Sequence, residues 1–374
     1  MTERLYLVQL LLLVGLGWIV LRNAHQFFRL QIVAWGFLNC LIVVRYGLSE
    51  QLNFYSNDQR YYVSVVDSIV SNGLPLDIDW WLTASRFPYT IPGAVLAFAG
   101  IDHSLALKTI SLIFLLATTK LLFTITHVVS HRQAFTSAYV SAVGTMGLFF
   151  STLALRETAM MYFVLLAVAG RSSATRGLAL VLLLLLRSHL AVALIIGFVL
   201  VSLWRLLNRH GTWSPLRAIG AITGSSLVGY ALFAIGFQYQ TGVSNVFGHQ
   251  FGLRPVTRIA SNYIGLQFLT AYEESIEFSI PELLISRLLF SETIFIPLAF
   301  FIVVIFSKQV SITTQCALLA FAIYVGLVTN TEFNSFRQNV PLMPLMGLTI
   351  YTALQQRYPT LASRLRVNSR EMSG

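Results

Sequence analysis

Arginine is the residue type in this sequence whose placement points to chemistry. The stretch ALRETAMMYF (154–163) puts Arg156 and Glu157 side by side between two apolar runs, and Arg187 and His189 lie inside a later one. A guanidinium group is planar, permanently charged and able to donate paired hydrogen bonds, which suits phosphate, diphosphate and carboxylate groups. An arginine below the membrane interface is costly, so these positions indicate an anion-binding role. For any single arginine the alternative is snorkelling at a helix end.

The composition around these residues is that of an integral membrane protein. Of 374 residues, 56% are hydrophobic and only 11% are charged, and the mean hydropathy is +0.72. A soluble domain carries roughly 25% charged residues. Apolar runs of about 20 residues predict membrane-spanning helices. We therefore predict an all-α fold, a polytopic transmembrane helix bundle of about 10–12 spans that forms one membrane domain over residues 1–374.

The apolar runs place these helices along the chain. Residues 89–101 are apolar but too short to cross, so they predict a re-entrant or interfacial piece. Residues 176–207 are too long for one span, and they predict a hairpin of two short helices with Arg187 and His189 near its tip. The remaining predicted spans are 5–22, 27–46, 104–128, 135–153, 157–170, 218–239, 284–306, 310–329 and 338–355.

Charge distribution predicts the orientation of the bundle. Basic loops with almost no acids belong in the cytoplasm; they are 130–133, 170–176, 204–217, the turn at Lys308 and the tail 356–374. The loops between them, which hold nearly all the acids, are then external; they are 47–88, 154–157, 240–283 and 329–339. The N-terminus is also external in this arrangement. Nine arginines lie beside external turns, where they could converge on one outward-facing cavity: Arg45, Arg60, Arg86, Arg156, Arg187, Arg254, Arg258, Arg287 and Arg337.

The first external loop predicts a surface helix and a candidate carboxylate. Apolar residues recur at helical spacing from Tyr62 to Ile69, so 59–71 is predicted to be an amphipathic helix lying on the membrane surface. Asp58 stands at the start of that helix. It could serve as an N-cap, as a catalytic carboxylate, or as both.

Two stretches resemble a family of membrane enzymes. Arg45-Tyr46-Gly47 at the end of the second span, followed by Asp58 and a tyrosine pair, resembles the opening of EpsG-type and Wzy-type polysaccharide polymerases. The central stretch from Arg156 through His189 is similar to the arginine-led helix, basic turn and returning hairpin of that family. The resemblance implies a polymerase acting on lipid-linked glycans, with functional residues at Arg45, Asp58, Arg156, Arg187 and His189.

A second resemblance leads to the same class of chemistry. FRQNVPLMPLMG (336–347) is similar to the ending of multi-span glycosyltransferases that use polyprenyl-phosphate sugars. Both resemblances imply glycosyl transfer at the outer face of the bacterial cytoplasmic membrane, in O-antigen or exopolysaccharide biosynthesis. The base would be Asp58, Glu157 or His189. The phosphate-binding set would be Arg45, Arg86, Arg156, Arg187, Arg254, Arg337 and Gln338.

Cofactor and partner expectations follow from the same residues. The sequence has no metal-binding motif, so no cofactor is expected, although Asp77 and Asp79 could bind a divalent ion weakly. The net charge of +10 serves topology and contact with anionic lipids, and no nucleic-acid module stands outside the membrane. Expected partners are polyprenyl-linked glycans and membrane lipids, with a flippase and a chain-length regulator as protein partners. A transporter of lipid-linked glycans or anionic solutes is the alternative from another class.

Overall fold

The computed structural model describes residues 3–50, 56–75, 77, 80, 86–207, 214–241, 292–306, 311–328 and 339–357. Within these residues the chain forms α-helices and contains no β-strand, which confirms the all-α prediction. A short 3-10 turn, Val340–Leu342, precedes the last helix. The fourteen helices of the described part are α1 (Glu3–Val20), α2 (Gln26–Glu50), α3 (Ser56–Asn72), α4 (Phe87–Phe98), α5 (His103–Thr126), α6 (His131–Val140), α7 (Met146–Ser151), α8 (Glu157–Ala169), α9 (Ser173–Leu186), α10 (Ser188–Leu207), α11 (Pro215–Thr241), α12 (Glu292–Phe306), α13 (Ile312–Val328) and α14 (Met343–Arg357).

Three of these helices are long and apolar enough to cross a membrane. They are Glu3–Val20, Gln26–Val44 within α2, and His103–Thr126. Shorter apolar stretches of 10 to 17 residues lie in seven other helices of the described part, among them Ser188–Trp204 within α10. Most large apolar side chains of α1 are exposed, whereas α5 is buried along half of its length. The bundle therefore packs around α5, with α1 at its edge.

The predicted helix break at Arg187 is present. The α9 helix ends at Leu186, Arg187 has an extended backbone (φ −158°, ψ 94°), and α10 begins at Ser188. The Arg187 carbonyl accepts hydrogen bonds from the amides of Leu190 and Ala191, so one residue ends one helix and starts the next. Whether both helices return to the same side of the membrane stays a prediction.

The predicted single span 135–153 is wrong, because the chain breaks between α6 and α7. Ala142 has a left-handed backbone (φ 55°) in the break, and two distant residues hold the broken ends. The carboxylate of Glu292 accepts hydrogen bonds from the Thr145 hydroxyl and from the Met146 amide (3.2 Å). The α14 helix packs its Gly347 directly against the backbone of Ser141. Both contacts come from the C-terminal third of the chain, so local sequence could not reveal the break.

The predicted amphipathic helix exists as α3, but its apolar face does not lie on the membrane surface. Tyr62, Val65, Val66 and Ile69 are all buried inside the protein, against α4 and α5. A stripe of apolar residues has the same period whether lipid or protein covers it. The α3 helix is therefore part of the bundle core, and its polar face, with Asp58, is exposed.

Candidate functional site

Arg156 is held at the start of α8 by a buried turn. Residues 151–155 link α7 to α8, and three helices each contribute one buried side chain that bonds the backbone of this turn. Trp35 from α2 donates to the Ser151 carbonyl (2.8 Å). Gln59 from α3 accepts from the Ala154 amide (2.8 Å). These bonds satisfy backbone groups that water cannot reach.

The α5 helix also bonds this turn, and α4 bonds α5 beside it. Ser111 on α5 donates to the carbonyls of Leu153 (3.3 Å) and Leu155 (3.0 Å). The hydroxyl of Tyr89 on α4 lies 3.0 Å from Ser111 Oγ and 3.2 Å from the Leu107 carbonyl. We call Trp35, Gln59, Tyr89 and Ser111 the turn-anchoring residues; at most 1% of each is exposed.

The Arg156 side chain leaves this turn towards the corner between α9 and α10. Its Nη1 donates to the carbonyl of Leu186, the last residue of α9, where the negative end of the helix dipole favours a cation. Its guanidinium carbon lies 5.8 Å from the ring centre of Tyr62, which packs edge-on against Tyr89 at 5.6 Å. Its Nε is buried and has no hydrogen-bond partner in the described part of the chain.

Arg187 lies at that corner, next to the carbonyl that Arg156 binds. Its guanidinium carbon is 5.6 Å from the ring centre of Tyr324 on α13, a distance typical of a cation–π contact. His189 follows two residues later in the first turn of α10, exposed and within range of the charge of Arg187.

Arg86 completes a group of three arginines. It precedes α4, the twelve-residue helix that corresponds to the predicted short piece 89–101, and its backbone is left-handed (φ 48°, ψ 41°). Left-handed backbone is strained for a residue with a side chain, and such strain occurs often at functional sites. Burial lowers the pKa of the Arg86 guanidinium, and the like charges of Arg156 and Arg187 lower it further.

We call Arg86, Arg156 and Arg187 the arginine triad. Arg156 binds the carbonyl of Leu186, the residue before Arg187, and both α8 and α4, which Arg86 precedes, contact α9, which ends at this corner. Cations brought together at one site repel one another and favour binding of an anion.

The structure separates the candidate bases by exposure. Glu157 is the first residue of α8 and is completely buried. Asp58 lies in the first turn of α3 and is exposed, next to the buried Gln59. The role of Glu157, as a base or as the residue that holds Arg156 in place, stays a prediction.

The other predicted site residues fall partly or wholly outside the described structure. Arg45 lies in α2, two residues before Gly47, whose non-helical backbone (φ 74°) kinks the helix near the predicted end of the second span. The side chain of Arg45 is not among the described ones. Arg254, Arg337 and Gln338 lie outside the described residues, as does Asp79, while Asp77 is exposed. Among described residues, no group of three or more metal-ligating side chains is close enough to hold an ion.

Sequence reasoning missed the turn-anchoring residues and Glu292. Gln59 and Ser111 are single polar residues within helical patterns, and nothing in their local sequence distinguishes them from solvated positions. Glu292 offered a signal, because it is the one acid in the apolar run predicted over 284–306. In the comparisons with known proteins, no family model, curated protein or solved structure matches this chain.

Proposed function

We propose that this protein is a membrane glycosyltransferase of the polymerase type. It joins polyprenyl-phosphate- or polyprenyl-diphosphate-linked glycans at the outer face of the bacterial cytoplasmic membrane. The observation that carries the proposal is the arginine triad, three cations at the adjoining ends of α4, α8 and α9. Phosphate is the anion that suits such a group, because each guanidinium can bind two of its oxygens.

In the proposed reaction an acceptor hydroxyl attacks the anomeric carbon of the donor glycan. The new carbon–oxygen bond forms as the bond to the lipid phosphate breaks, and the departing phosphate or diphosphate takes the electron pair. The triad stabilises that developing negative charge, which is where fixed cations lower a barrier most. The acceptor proton passes to a general base.

His189 is the preferred base in this scheme. It is exposed and lies beside Arg187, so a hydroxyl held near the departing phosphate would be within its reach. Asp58 is also exposed and remains the second candidate. Glu157 is the weakest of the three, because its complete burial separates it from a substrate hydroxyl.

The test uses full-length protein in vesicles that contain lipid-linked glycan, with glycan chain length as the readout. Arg156→Ala should lower turnover about 100- to 1000-fold, the usual cost of losing one donor that stabilises transition-state charge. Arg176→Ala is the matched control, since Arg176 Nε also donates to a helix-terminal carbonyl, that of Gly170 (2.7 Å), at the junction of α8 and α9.

Two results would overturn the proposal. One is a turnover of Arg156→Ala equal to that of Arg176→Ala. The other is vesicles that move labelled lipid from one leaflet to the other without forming a glycosidic bond, which would identify a transporter.

A further inference from the structure

The turn-anchoring residues surround the segment that presents Arg156. All four are buried and come from four successive helices: Trp35, Gln59 and Ser111 bond the backbone of residues 151–155, and Tyr89 bonds Ser111. A buried turn needs its backbone groups satisfied, and one or two side chains could have done so. Here the bonds come from α2, α3 and α5, so three helices fix the position of the turn.

One of these residues, Tyr89, also contacts the Tyr62 ring beside the guanidinium of Arg156. Tyr89 bonds Ser111 through its hydroxyl, and its ring supports the Tyr62 ring on which Arg156 lies. Gln59 is three residues before Tyr62 on α3, one helical turn away, so one helix both fixes the turn and supplies the ring. A shift of α3 would move both contacts of Arg156 at once.

We propose that Gln59 and Ser111 are positioning residues for Arg156, acting through the backbone of residues 153–155. The inference rests on the proposed function, because it assigns these residues to the anion site described there. Neither residue touches the anion. Each sets the place of Arg156 relative to Arg86 and Arg187, and displacement of a binding group by about 1 Å can cost 100-fold in rate.

Matched variants separate positioning from general stability. Ser111→Ala removes the bonds to the turn, and Ser111→Thr keeps the hydroxyl. Thr118→Val is the control on the same helix, since the Thr118 hydroxyl is equally buried but bonds only Phe114 of its own helix (2.7 Å). Gln59→Met keeps the side-chain length and removes the acceptor for the Ala154 amide.

The first measurement is the affinity of the full-length protein for inorganic diphosphate. It is obtained from the rise in the unfolding midpoint as diphosphate is added. Gln59→Met and Ser111→Ala should each weaken that affinity about 10- to 100-fold, while Ser111→Thr and Thr118→Val stay near the original protein. An affinity loss in Thr118→Val equal to that in Ser111→Ala would overturn the inference, because it would then report loss of stability alone.

A double-mutant cycle supplies the second measurement. If Gln59 acts through Arg156, Gln59→Met should have no further effect on diphosphate affinity once Arg156 is alanine. Losses that multiply in the double variant would overturn the positioning role.

The two proposals fail in different ways. If Arg156→Ala weakens diphosphate binding to a level that can still be measured but leaves glycan joining intact, the proposed function fails, and the cycle on affinity still decides the positioning role.

Discussion

The crossing of α11 and α13 gives a stability prediction that can be worked from the geometry. Gly229 on α11 packs against the backbone of Ile323: a Cβ added to Gly229 would lie against the Ile323 carbonyl oxygen, 2.9 Å from its carbonyl carbon and 3.0 Å from its Cα. Gly326 on α13 faces the same crossing, where an added Cβ would lie 2.8 Å from the Tyr230 amide nitrogen. Small residues of this kind let helix backbones approach closely in membranes.

Gly229→Ala should therefore destabilise the protein. The obstacle is backbone and cannot rotate away, so the two helices must separate, at a cost of about 1–3 kcal/mol for overpacking. Alanine recovers at most about 1 kcal/mol through its higher helix propensity. The net loss should be about 1–2 kcal/mol, observed as a lower unfolding midpoint of the purified protein in detergent.

Gly224→Ala on the same helix is the matched control. Nothing lies within 4 Å of a Cβ added at Gly224, so this variant should keep or slightly raise the unfolding midpoint. If Gly229→Ala proves as stable as Gly224→Ala, the close approach of α11 and α13 is wrong.

The remaining predictions concern two other helix ends. The Nδ1 of His25 accepts from the Phe27 amide (3.1 Å) at the start of α2, and burial, with the nearby His131, lowers the pKa of His25 below its usual 6.5. As the pH falls, the unfolded chain takes up this proton before the folded chain does, so the stability of the fold should fall as pH drops below about 6.5. His25→Asn keeps an N-cap acceptor that does not titrate. Unfolding scans across this pH range should therefore show a smaller fall in stability for His25→Asn. Glu292→Ala should lower the free energy of unfolding by about 1–3 kcal/mol, because it leaves the buried Met146 amide without an acceptor. Glu292→Gln keeps an acceptor and should lose less stability in the same scans. Equal losses in these two Glu292 variants would contradict the capping role of the carboxylate.

Local patterns sufficed where local chemistry decides the structure. The polar residues from Arg187 to His189 interrupt an apolar run, and the helix breaks there as predicted. The period of α3 was equally clear, but it could not identify what covers the apolar face, since lipid and protein select the same residues.

Long-range contacts decided the features that sequence reasoning missed. The break between α6 and α7 depends on Glu292 and Gly347, which are about 150 and 200 residues away along the chain. Three of the predicted arginines lie at adjoining helix ends, but the place of Arg156 depends on the backbone of residues 151–155, held by side chains from three helices. No spacing rule within one segment encodes such a convergence.

The bond from Arg156 to the Leu186 carbonyl has a consequence for the thermodynamics of ligand capture. A free arginine side chain loses about 2 kcal/mol of rotational entropy when it is immobilised. In Arg156, Nη1 already donates a hydrogen bond to the carbonyl at the end of α9, while Nε has no hydrogen-bond partner among the described residues. Folding has thus restricted the side chain before any ligand arrives. If an anion binds here as proposed, the guanidinium needs little further ordering to receive it.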